Sequence, residues 1–386
     1  MSRRHKHPEQ RTRSVAQQVA FDAHQTQSGL QQVLNRALTR PDLSRTDKNL
    51  ITELSYGYLR YKGRIDFILS RYFKTSPRTL PPRYLNALGL AVYEMLWMDS
   101  IPEYATLDVS VQMHKKRWGQ QLAGLSNALL RKISRERDQL GHPEFYQEDR
   151  PGQTAFFSRY YSCPEHLVRI LLHSHGPELT QGILKRALHP PPVGIRINRT
   201  RPGASNLFAA LRSQVADSLL DVDYPGLACR KTPKDLAAAE TEGRLSRQSL
   251  AAQKVLHSLQ PLEWPLPIWD ACCGHGGKAG QLLECGIAPL WVSDRTPRKV
   301  RSCREELQRL HFSEVPALCA DATRALPSKH PPGTILLDVP CSGLGVLSRR
   351  PDIKWKRSLH DVQLLHQIQQ TMLRTCAENL GSGAPL

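Results

Sequence analysis

The feature that most constrains the fold is a succession of short apolar runs after Leu266, each followed by a helical stretch. The apolar runs are Pro267–Ala271, Leu290–Ser293, Ala317–Ala320 and Thr334–Leu337, and the helical stretches are Lys278–Cys285, Pro297–Leu310 and Leu359–Leu380. Buried strands that alternate with helices are typical of βαβ units, which build a parallel, doubly wound sheet. A Rossmann-like α/β domain is therefore predicted for residues 251–386.

Residues 15–140 show a different and purely helical pattern. Apolar side chains recur there at helical spacing, and no strand-like alternation interrupts them. The stripes include Leu50, Leu54 and Tyr58; Leu85, Leu88, Val92 and Leu96; and Leu125, Leu129 and Ile133. Asp47 and Asp108 are candidate N-caps, and Pro81-Pro82 precedes a predicted helix start. An all-α bundle is expected.

Two further segments complete the predicted organisation. Residues 150–250 are mixed, with a helical stretch up to Leu188, a halt at three consecutive prolines, and a strand-like alternation over Val193–Asn198. This predicts a small α/β connecting domain. Residues 1–14 are basic and lack apolar periodicity. They are interpreted as a disordered arm, either simply solvated or seeking phosphate.

Charge and cysteine content restrict the class of protein. The 386 residues carry 53 Lys+Arg against 35 Asp+Glu, a net charge of +18, so the expected partner is a polyanion, with nucleic acid ahead of a membrane. The chain lacks an apolar stretch long enough to span a bilayer. Nine cysteines at irregular spacing favour a reducing, cytoplasmic setting over a disulfide framework or a zinc site.

A glycine-rich loop follows the first apolar run and opens a helix, with the sequence Asp270-Ala-Cys-Cys-Gly-His-Gly-Gly-Lys278. Its glycines allow a sharp turn and a close approach to a ligand, and the helix N-terminus favours polar or anionic groups. The spacing Gly274-x-Gly276-x-x-Ala279 fits the dinucleotide fingerprint, whereas a phosphate P-loop would need a glycine in place of Cys272.

Two acids end the next apolar runs. Asp294 follows the glycine loop by some 20 residues, a position from which a carboxylate accepts both hydroxyls of a ribose. Asp321 ends the third run, where an acid can meet an adenine amino group. Each acid alone is compatible with a helix cap. Features at the ends of three consecutive strands instead indicate a nucleotide-like ligand, either a nicotinamide dinucleotide or S-adenosylmethionine.

The string Asp338-Val-Pro-Cys341 ends the fourth run and favours one kind of chemistry. Carbon 5 of a pyrimidine becomes nucleophilic when a thiolate adds at carbon 6, and a nearby acid steadies the charge that develops on the ring. Methyl transfer to carbon 5 needs these groups, whereas hydride transfer does not. A buried and inert Cys341 is the competing interpretation.

A basic segment lies directly after this string. Cations surround a tryptophan there, which suits a phosphate clamp with a stacking platform for RNA. The candidate RNA contacts are Arg349, Arg350, Lys354, Trp355, Lys356 and Arg357. A solvated basic loop is the alternative.

Together, these motifs and the string Arg350-Pro-Asp-Ile-Lys-Trp355 resemble the RsmB/Sun group of RNA (cytosine-5) methyltransferases. Members methylate bacterial small-subunit (16S) ribosomal RNA with S-adenosylmethionine. Residues 15–137, including Leu125–Arg131, resemble the NusB-like RNA-binding domain of this group, and Ile195–Asn198 resembles the start of its core. The resemblance implies S-adenosylmethionine as cofactor, ribosomal RNA as partner, a monomer, and no metal or membrane.

The resemblance also assigns roles to single residues. The loop around the methionine part of the cofactor is Cys272, Cys273, Gly274, His275, Gly276, Gly277 and Lys278. Asp294 holds the ribose and Asp321 the adenine. Asp338 lies near the target base, and Cys341 is the Pro-Cys thiol that helps to release the methylated product.

Three departures from the family pattern are visible. Gly274-His275 replaces the usual Ala-Pro, and Gln248-Ser249 replaces a Gln-Asp pair, so one polar contact is expected to be missing. The family's nucleophilic Thr-Cys follows a glycine turn that this chain reaches only at its last residues. A truncated form, poorly active or inactive alone, is therefore expected. If the chain is complete as given, Cys341 is the candidate nucleophile, because Cys376 reads as a core position of a helix.

Two other functions stay open on the sequence. A non-catalytic RNA-binding protein would keep the helical domain and the basic segment of such a methyltransferase. An NAD-dependent reductase would rest on the glycine loop alone.

Overall fold

A computed structural model describes residues 8–26, 28–73, 76–324 and 330–380. By their contacts, the described residues form two units. The helical unit comprises Met1–Pro190 and Gly343–Leu359, and the α/β unit comprises Pro191–Ser342 and His360–Leu386.

The elements follow in chain order. Up to Pro190 they are α1 (Pro8–Gln25), α2 (Leu30–Leu38), α3 (Arg45–Tyr72), α4 (Pro82–Trp97), α5 (Glu103–Arg135), α6 (Arg137–Gly141), α7 (Gln153–Tyr160) and α8 (Glu165–Ala187). From there they are β1 (Val193–Ile197), α9 (Ala204–Gln214), β2 (Leu219–Asp223), β3 (Gly226–Cys229), α10 (Leu236–Thr241), β4 (Leu245–Arg247), α11 (Leu250–Ser258), β5 (Ile268–Asp270), α12 (Gly277–Glu284), β6 (Leu290–Asp294), α13 (Pro297–Arg309), β7 (Ala317–Cys319), β8 (Thr334–Leu336), α14 (Ile353–Lys356) and α15 (Leu359–Glu378).

The helical unit buries the stripes that its sequence predicts, because apolar positions three and four residues apart share one helix face. Leu54, Leu88 and Leu129 all lie in its core. Pro82 begins α4 as expected. The two predicted N-caps are wrong: Ser44 caps α3 while Asp47, three residues on, completes the capping box, and Asp108 lies inside α5.

The N-terminal arm predicted over residues 1–14 is also wrong for its second half, since α1 already begins at Pro8. Arg13 is 5% exposed and Glu94 is 2% exposed. The Nε of Arg13 donates to both carboxylate oxygens of Glu94, at 3.0 and 2.9 Å. A buried ion pair holds this stretch in place, because either charge would be costly to bury alone. Residues 1–7 lie outside the described residues.

The boundary of the connecting domain differs from the prediction at residue 150. Helices α7 and α8 belong to the helical unit, where Leu167 and Leu184 join Phe157 in a common cluster. The connecting domain starts only at β1. Its strands form an antiparallel sheet in the order β2-β3-β1-β4.

The remaining strands form a parallel sheet in the order β7-β6-β5-β8. Ile268 of β5 packs in a cluster with α12 and α13, whereas Trp269 packs in another with Met372 and Cys376 of α15. The two faces of the sheet are thus covered by different helices, and the doubly wound fold is confirmed. The strand order reverses between β5 and β8, where open sheets of this kind bind ligands.

Candidate functional site

A cavity of about 170 Å³ opens at the carboxyl edge of the parallel sheet. Four of the predicted site residues line it: Cys272, Asp294, Asp321 and Asp338. The other lining residues are Ala271, Arg295, Thr296, Lys299, Ala320, Ala322, Thr323, Pro340, Leu365, Ile368 and Met372. The structure thus brings together residues after all four strands, as the rule for parallel sheets predicts.

Asp294 ends β6 and is almost buried, at 6% exposure. One carboxylate oxygen accepts the backbone N–H of Thr296 at 2.8 Å, and the other lies 3.3 Å from the ammonium of Lys299. These contacts fix the carboxylate while leaving lone pairs for a ligand, because an ionised carboxylate has about four acceptor positions. Sequence reasoning missed Lys299, which lies five residues after Asp294 on α13.

Asp321 lies two residues after β7. One of its oxygens accepts the backbone N–H of Thr323 at 3.0 Å and the Thr323 hydroxyl at 2.8 Å. The backbone hydrogen bond lowers the pKa of the Asp321 carboxyl, and the hydroxyl adds to the effect. The side chain is therefore an ionised acceptor at neutral pH.

The glycine loop turns as its composition requires. Gly274 and Gly276 have φ of +56° and +82°, in the left-handed region that disfavours side chains. A Cβ on Gly276 would lie 3.0 Å from the Sγ of Cys303. The loop thus lies close to α13.

The two cysteines of the loop have different environments. Cys272 faces the cavity, and burial raises the pKa of its thiol to about 12. Cys273 is buried beneath the loop, where a hydrogen bond with Cys303 and burial raise the pKa of its thiol. Both side chains are therefore neutral thiols at pH 7.

His275 and Gly277 do not line the cavity of Asp294. They line a second, polar cavity of about 390 Å³ together with Arg196 and Gln248. Lys278 instead forms an ion pair with Asp338, which ties the glycine loop to the loop after β8. The expected grouping of the whole loop around one ligand is therefore met only in part.

Asp270, the last residue of β5, is 1% exposed, and burial raises the pKa of its carboxyl to about 7. Its Oδ1 accepts the backbone N–H of Cys272 at 3.3 Å. Because few other groups stabilise a charge at this depth, the carboxyl titrates near neutrality.

The substitution at the family's Gln-Asp pair leaves the helix cap in place. Ser249 is the N-cap of α11, and its hydroxyl accepts the backbone N–H of Ala252 at 3.3 Å. Gln248 in turn accepts a hydrogen bond from Arg196. The hydroxyl of Ser249 thus serves as the helix cap, and the expected loss of a polar contact stays a prediction.

The loop after β8 carries Asp338 and Cys341, both exposed. Its backbone is held by Gln369 of α15, whose amide donates to the carbonyl of Pro340 at 2.8 Å. Cys341 is not among the residues that line the cavity. Cys376 has no exposed surface, and burial raises the pKa of its thiol to about 11. The prediction that Cys376 is a helix core residue is confirmed.

The basic segment differs most from its prediction. Lys354 is 2% exposed, and its ammonium donates to the carbonyl of Arg60 at 2.7 Å. The indole N–H of Trp355 donates to the carbonyl of Leu59 at 2.7 Å. The prediction that the Lys354 ammonium clamps phosphate is therefore wrong, because that group is buried and bonded inside the helical unit. The Trp355 ring is partly buried, and its role as a stacking platform stays a prediction.

The remaining candidates of the segment are more accessible. Arg349 and Arg350 are exposed, whereas Lys356 and Arg357 are partly buried. The ammonium of Lys356 donates to the carbonyl of Ser28 at 2.6 Å. Of the six candidate residues, only Arg349 and Arg350 are thus exposed.

The described residues include neither a membrane-spanning helix nor a metal-binding cluster. No helix there has the length and hydropathy needed to cross a membrane. Likewise, no cluster of three or more His, Cys, Asp or Glu side chains there has a metal-binding arrangement.

Comparison with known proteins gives two family matches. Residues 10–135 match the NusB family, and residues 256–386 match the 16S rRNA methyltransferase RsmB/F family. The chain is 31% identical over 356 residues to ribosomal RNA small subunit methyltransferase B of Escherichia coli O6:K15:H31 (strain 536 / UPEC), covering 89% of this chain and 78% of the relative. This chain belongs to the ribosomal RNA small subunit methyltransferase B family.

Other relatives of this RsmB-type chain agree. It is 28% identical over 383 residues to the probable ribosomal RNA small subunit methyltransferase B of Bacillus subtilis (strain 168), covering 97% of this chain and 83% of the relative. The crystal structure of PH0851 superposes with a TM-score of 0.73 at 18% identity, over 99% of this chain and 85% of that one. At that identity the likeness concerns the fold alone.

Proposed function

We propose that this chain transfers a methyl group from S-adenosylmethionine to carbon 5 of a cytidine in 16S ribosomal RNA. The observation that carries the proposal is the single cavity lined by Asp294, Asp321 and Asp338 at the reversal point of the sheet. Relatives that span most of the chain are named as ribosomal RNA small subunit methyltransferases, which supports the reaction class and the substrate.

The donor set of the cavity fits this cofactor. Asp294 offers acceptors for the two ribose hydroxyls, and Asp321 is an ionised acceptor for an adenine amino group. Small apolar residues, Ala320 and Ala322 among them, line the cavity where a purine would lie. The glycine loop would hold the methionine part. When bound, the cofactor supplies an electrophilic methyl group on a sulfonium.

The residues after β8 would act on the base. Cys341, as the thiolate, adds to carbon 6 of the cytosine and makes carbon 5 nucleophilic. The Lys278–Asp338 ion pair would act at ring nitrogen 3, where the proton that the pair holds would offset the negative charge that develops as the thiolate adds. Carbon 5 would then take the methyl group, and loss of the carbon-5 proton with departure of the Cys341 thiolate would restore the aromatic ring. All nine cysteines are free thiols, which supports action in the cytoplasm.

The test is incorporation of tritium from labelled S-adenosylmethionine into 16S ribosomal RNA by the full chain. Replacing Cys341 by alanine is expected to lower the rate at least about 100-fold, since the reaction loses its thiol. Cys319→Ala is the matched control, because Cys319 is also exposed but lies at the end of β7 and not in the loop after β8. Full activity of Cys341→Ala would exclude Cys341 as the nucleophile.

Binding measurements distinguish the alternatives. Calorimetry is expected to show binding of S-adenosylmethionine, weakened by Asp294→Ala. RNA binding without cofactor binding would instead indicate a non-catalytic RNA-binding protein, and tight binding of NADH would indicate a reductase.

A further inference from the structure

We call the segment Gly343–Leu359 the strap. By its contacts, the strap belongs to the helical unit. Along the chain, however, the strap lies between two stretches of the α/β unit. The first stretch ends at Ser342, and the second begins at His360. Only Ser342 separates the first strap residue from Cys341. The chain that carries the candidate catalytic thiol therefore continues directly into the helical unit.

Two side chains anchor the strap to consecutive backbone carbonyls of α3. Lys354 donates to Arg60 and Trp355 to Leu59, each at 2.7 Å. The indole also lies tightly against Gly63, where a Cβ would approach the Trp355 ring to 2.8 Å. Because both bonds run to carbonyls of a rigid helix, they fix the strap in position as well as in orientation.

Further contacts secure the strap to other parts of the helical unit. The carboxylate of Asp352 accepts the backbone N–H of Leu30 at 3.0 Å and so caps α2, whose own N-cap is a glycine. In the opposite direction, Arg60 donates to the carbonyl of Ser348 at 3.1 Å. His166 of α8 contacts the carbonyl of Arg357 at 2.7 Å.

The strap begins at a constrained residue. Gly343 has a φ of +78°, and a Cβ there would lie 2.8 Å from the Cδ1 of Ile353. A glycine is thus required at the point where the chain leaves the Asp338–Ser342 loop. Since Ile353 immediately precedes Lys354, displacing the lysine is expected to shift the start of the strap.

We propose that Lys354 and Trp355 are positioning residues, through which the helical unit holds the loop that carries Asp338 and Cys341. The inference rests on the proposed function for its catalytic consequence. It gives the two residues a task other than RNA contact, since Lys354 is buried and the indole N–H of Trp355 is bonded inside the helical unit. A thiol attack on a ring carbon depends on near-attack geometry, so a small displacement of the loop lowers the rate of the bound complex.

The experiment compares Lys354→Met and the milder Trp355→Phe in the full chain. Each has a control that removes the same group elsewhere: Lys185→Met at an exposed lysine, and Trp264→Phe, where the indole donates to the carbonyl of Leu259 at 2.9 Å. Steady-state kinetics with tritiated cofactor are expected to show kcat lowered about 10- to 100-fold in the strap variants. The KM for RNA and for cofactor should stay within about twofold of the wild-type values, since no ligand contact is removed.

Hydrogen exchange measured by mass spectrometry supplies a second readout that needs no activity. Exchange in the peptides covering residues 338–342 and 343–357 is expected to accelerate in both strap variants and in neither control. Unchanged kcat in a variant whose strap exchanges faster would overturn the inference, as would equal losses of kcat in the controls. If the wild type transfers no methyl group, the proposed function fails, and exchange at residues 338–342 alone decides whether the strap holds the loop.

Discussion

Single residues of the site differ in how far their chemistry follows from their type. The positions of Asp294 and Asp321 in the cavity could be predicted, because acids that follow parallel strands meet at the ligand-binding edge of the sheet. The roles of Lys278 and Lys354 could not. Lys278 pairs with Asp338, 60 residues away, and Lys354 bonds to Arg60, 294 residues away. Contacts over such separations leave no periodic signal in the sequence.

Asp270 makes a prediction at this scale. Burial raises the pKa of its carboxyl to about 7, from about 3.9 in an unfolded chain. The stabilising contribution of a group with a raised pKa is complete below pH 4 and is lost as the pH rises through 7. Asp270→Asn is therefore expected to gain stability relative to wild type across that interval, by up to about 1.4 kcal/mol per pH unit.

The measurement is urea unfolding of both proteins at several pH values from 4 to 8. The asparagine keeps an acceptor for the N–H of Cys272, so the comparison isolates the ionisation. Parallel stability curves for the two proteins would show that Asp270 does not titrate in this interval.

At the scale of elements, apolar periodicity predicted the bounds of a strand or helix best where the element's own residues determine which of its faces is buried. The predicted strand Leu290–Ser293 is β6, and the predicted helix Pro297–Leu310 is α13 within one residue. Helix starts were harder to predict. The sequence around α3 offers both Ser44 and Asp47, and only the geometry shows which residue caps and which reaches back. The first two turns of α1, residues 8–14, were missed because they are held by the pairing of Arg13 with Glu94, which spans 81 residues.

The cap of α11 can be tested by substitution. Ser249→Ala removes the hydroxyl that accepts the N–H of Ala252 and is expected to lower the free energy of unfolding by about 1 kcal/mol. Ser249→Asp, which restores the residue type usual in the family, should retain nearly full stability. Ser258→Ala, at the exposed end of the same helix, is the control for loss of a hydroxyl. Equal stabilities of the alanine and aspartate variants in urea unfolding would argue against the cap.

For the whole molecule, the excess of positive charge predicted a polyanionic partner but not the surface that meets it. The structure removes Arg13 and Lys354 from that surface by burial and internal bonding. Arg349 and Arg350 stay exposed on the strap. The class of each domain was predicted correctly, whereas the boundary near residue 190 and the return of the strap to the helical unit depend on tertiary contacts.

RNA affinity as a function of salt tests this surface. Each phosphate contact on single-stranded RNA contributes about −0.7 to the slope of log affinity against log salt concentration. Arg349→Ala and Arg350→Ala are each expected to reduce the steepness by about this amount. Lys254→Met is the control, because its ammonium is already paired with Asp221 at 2.7 Å. Slopes identical to wild type in both arginine variants would exclude the strap from the RNA interface.

The proposed reaction has a signature that distinguishes carbon 5 from every other acceptor on RNA. Methylation there expels the carbon-5 proton, so 16S ribosomal RNA carrying tritium at carbon 5 of its cytidines should release tritiated water when S-adenosylmethionine is added. We expect one tritium released for each methyl group transferred, and no release with Cys341→Ala. Methyl transfer without release of tritium would contradict the assignment of carbon 5 as the acceptor.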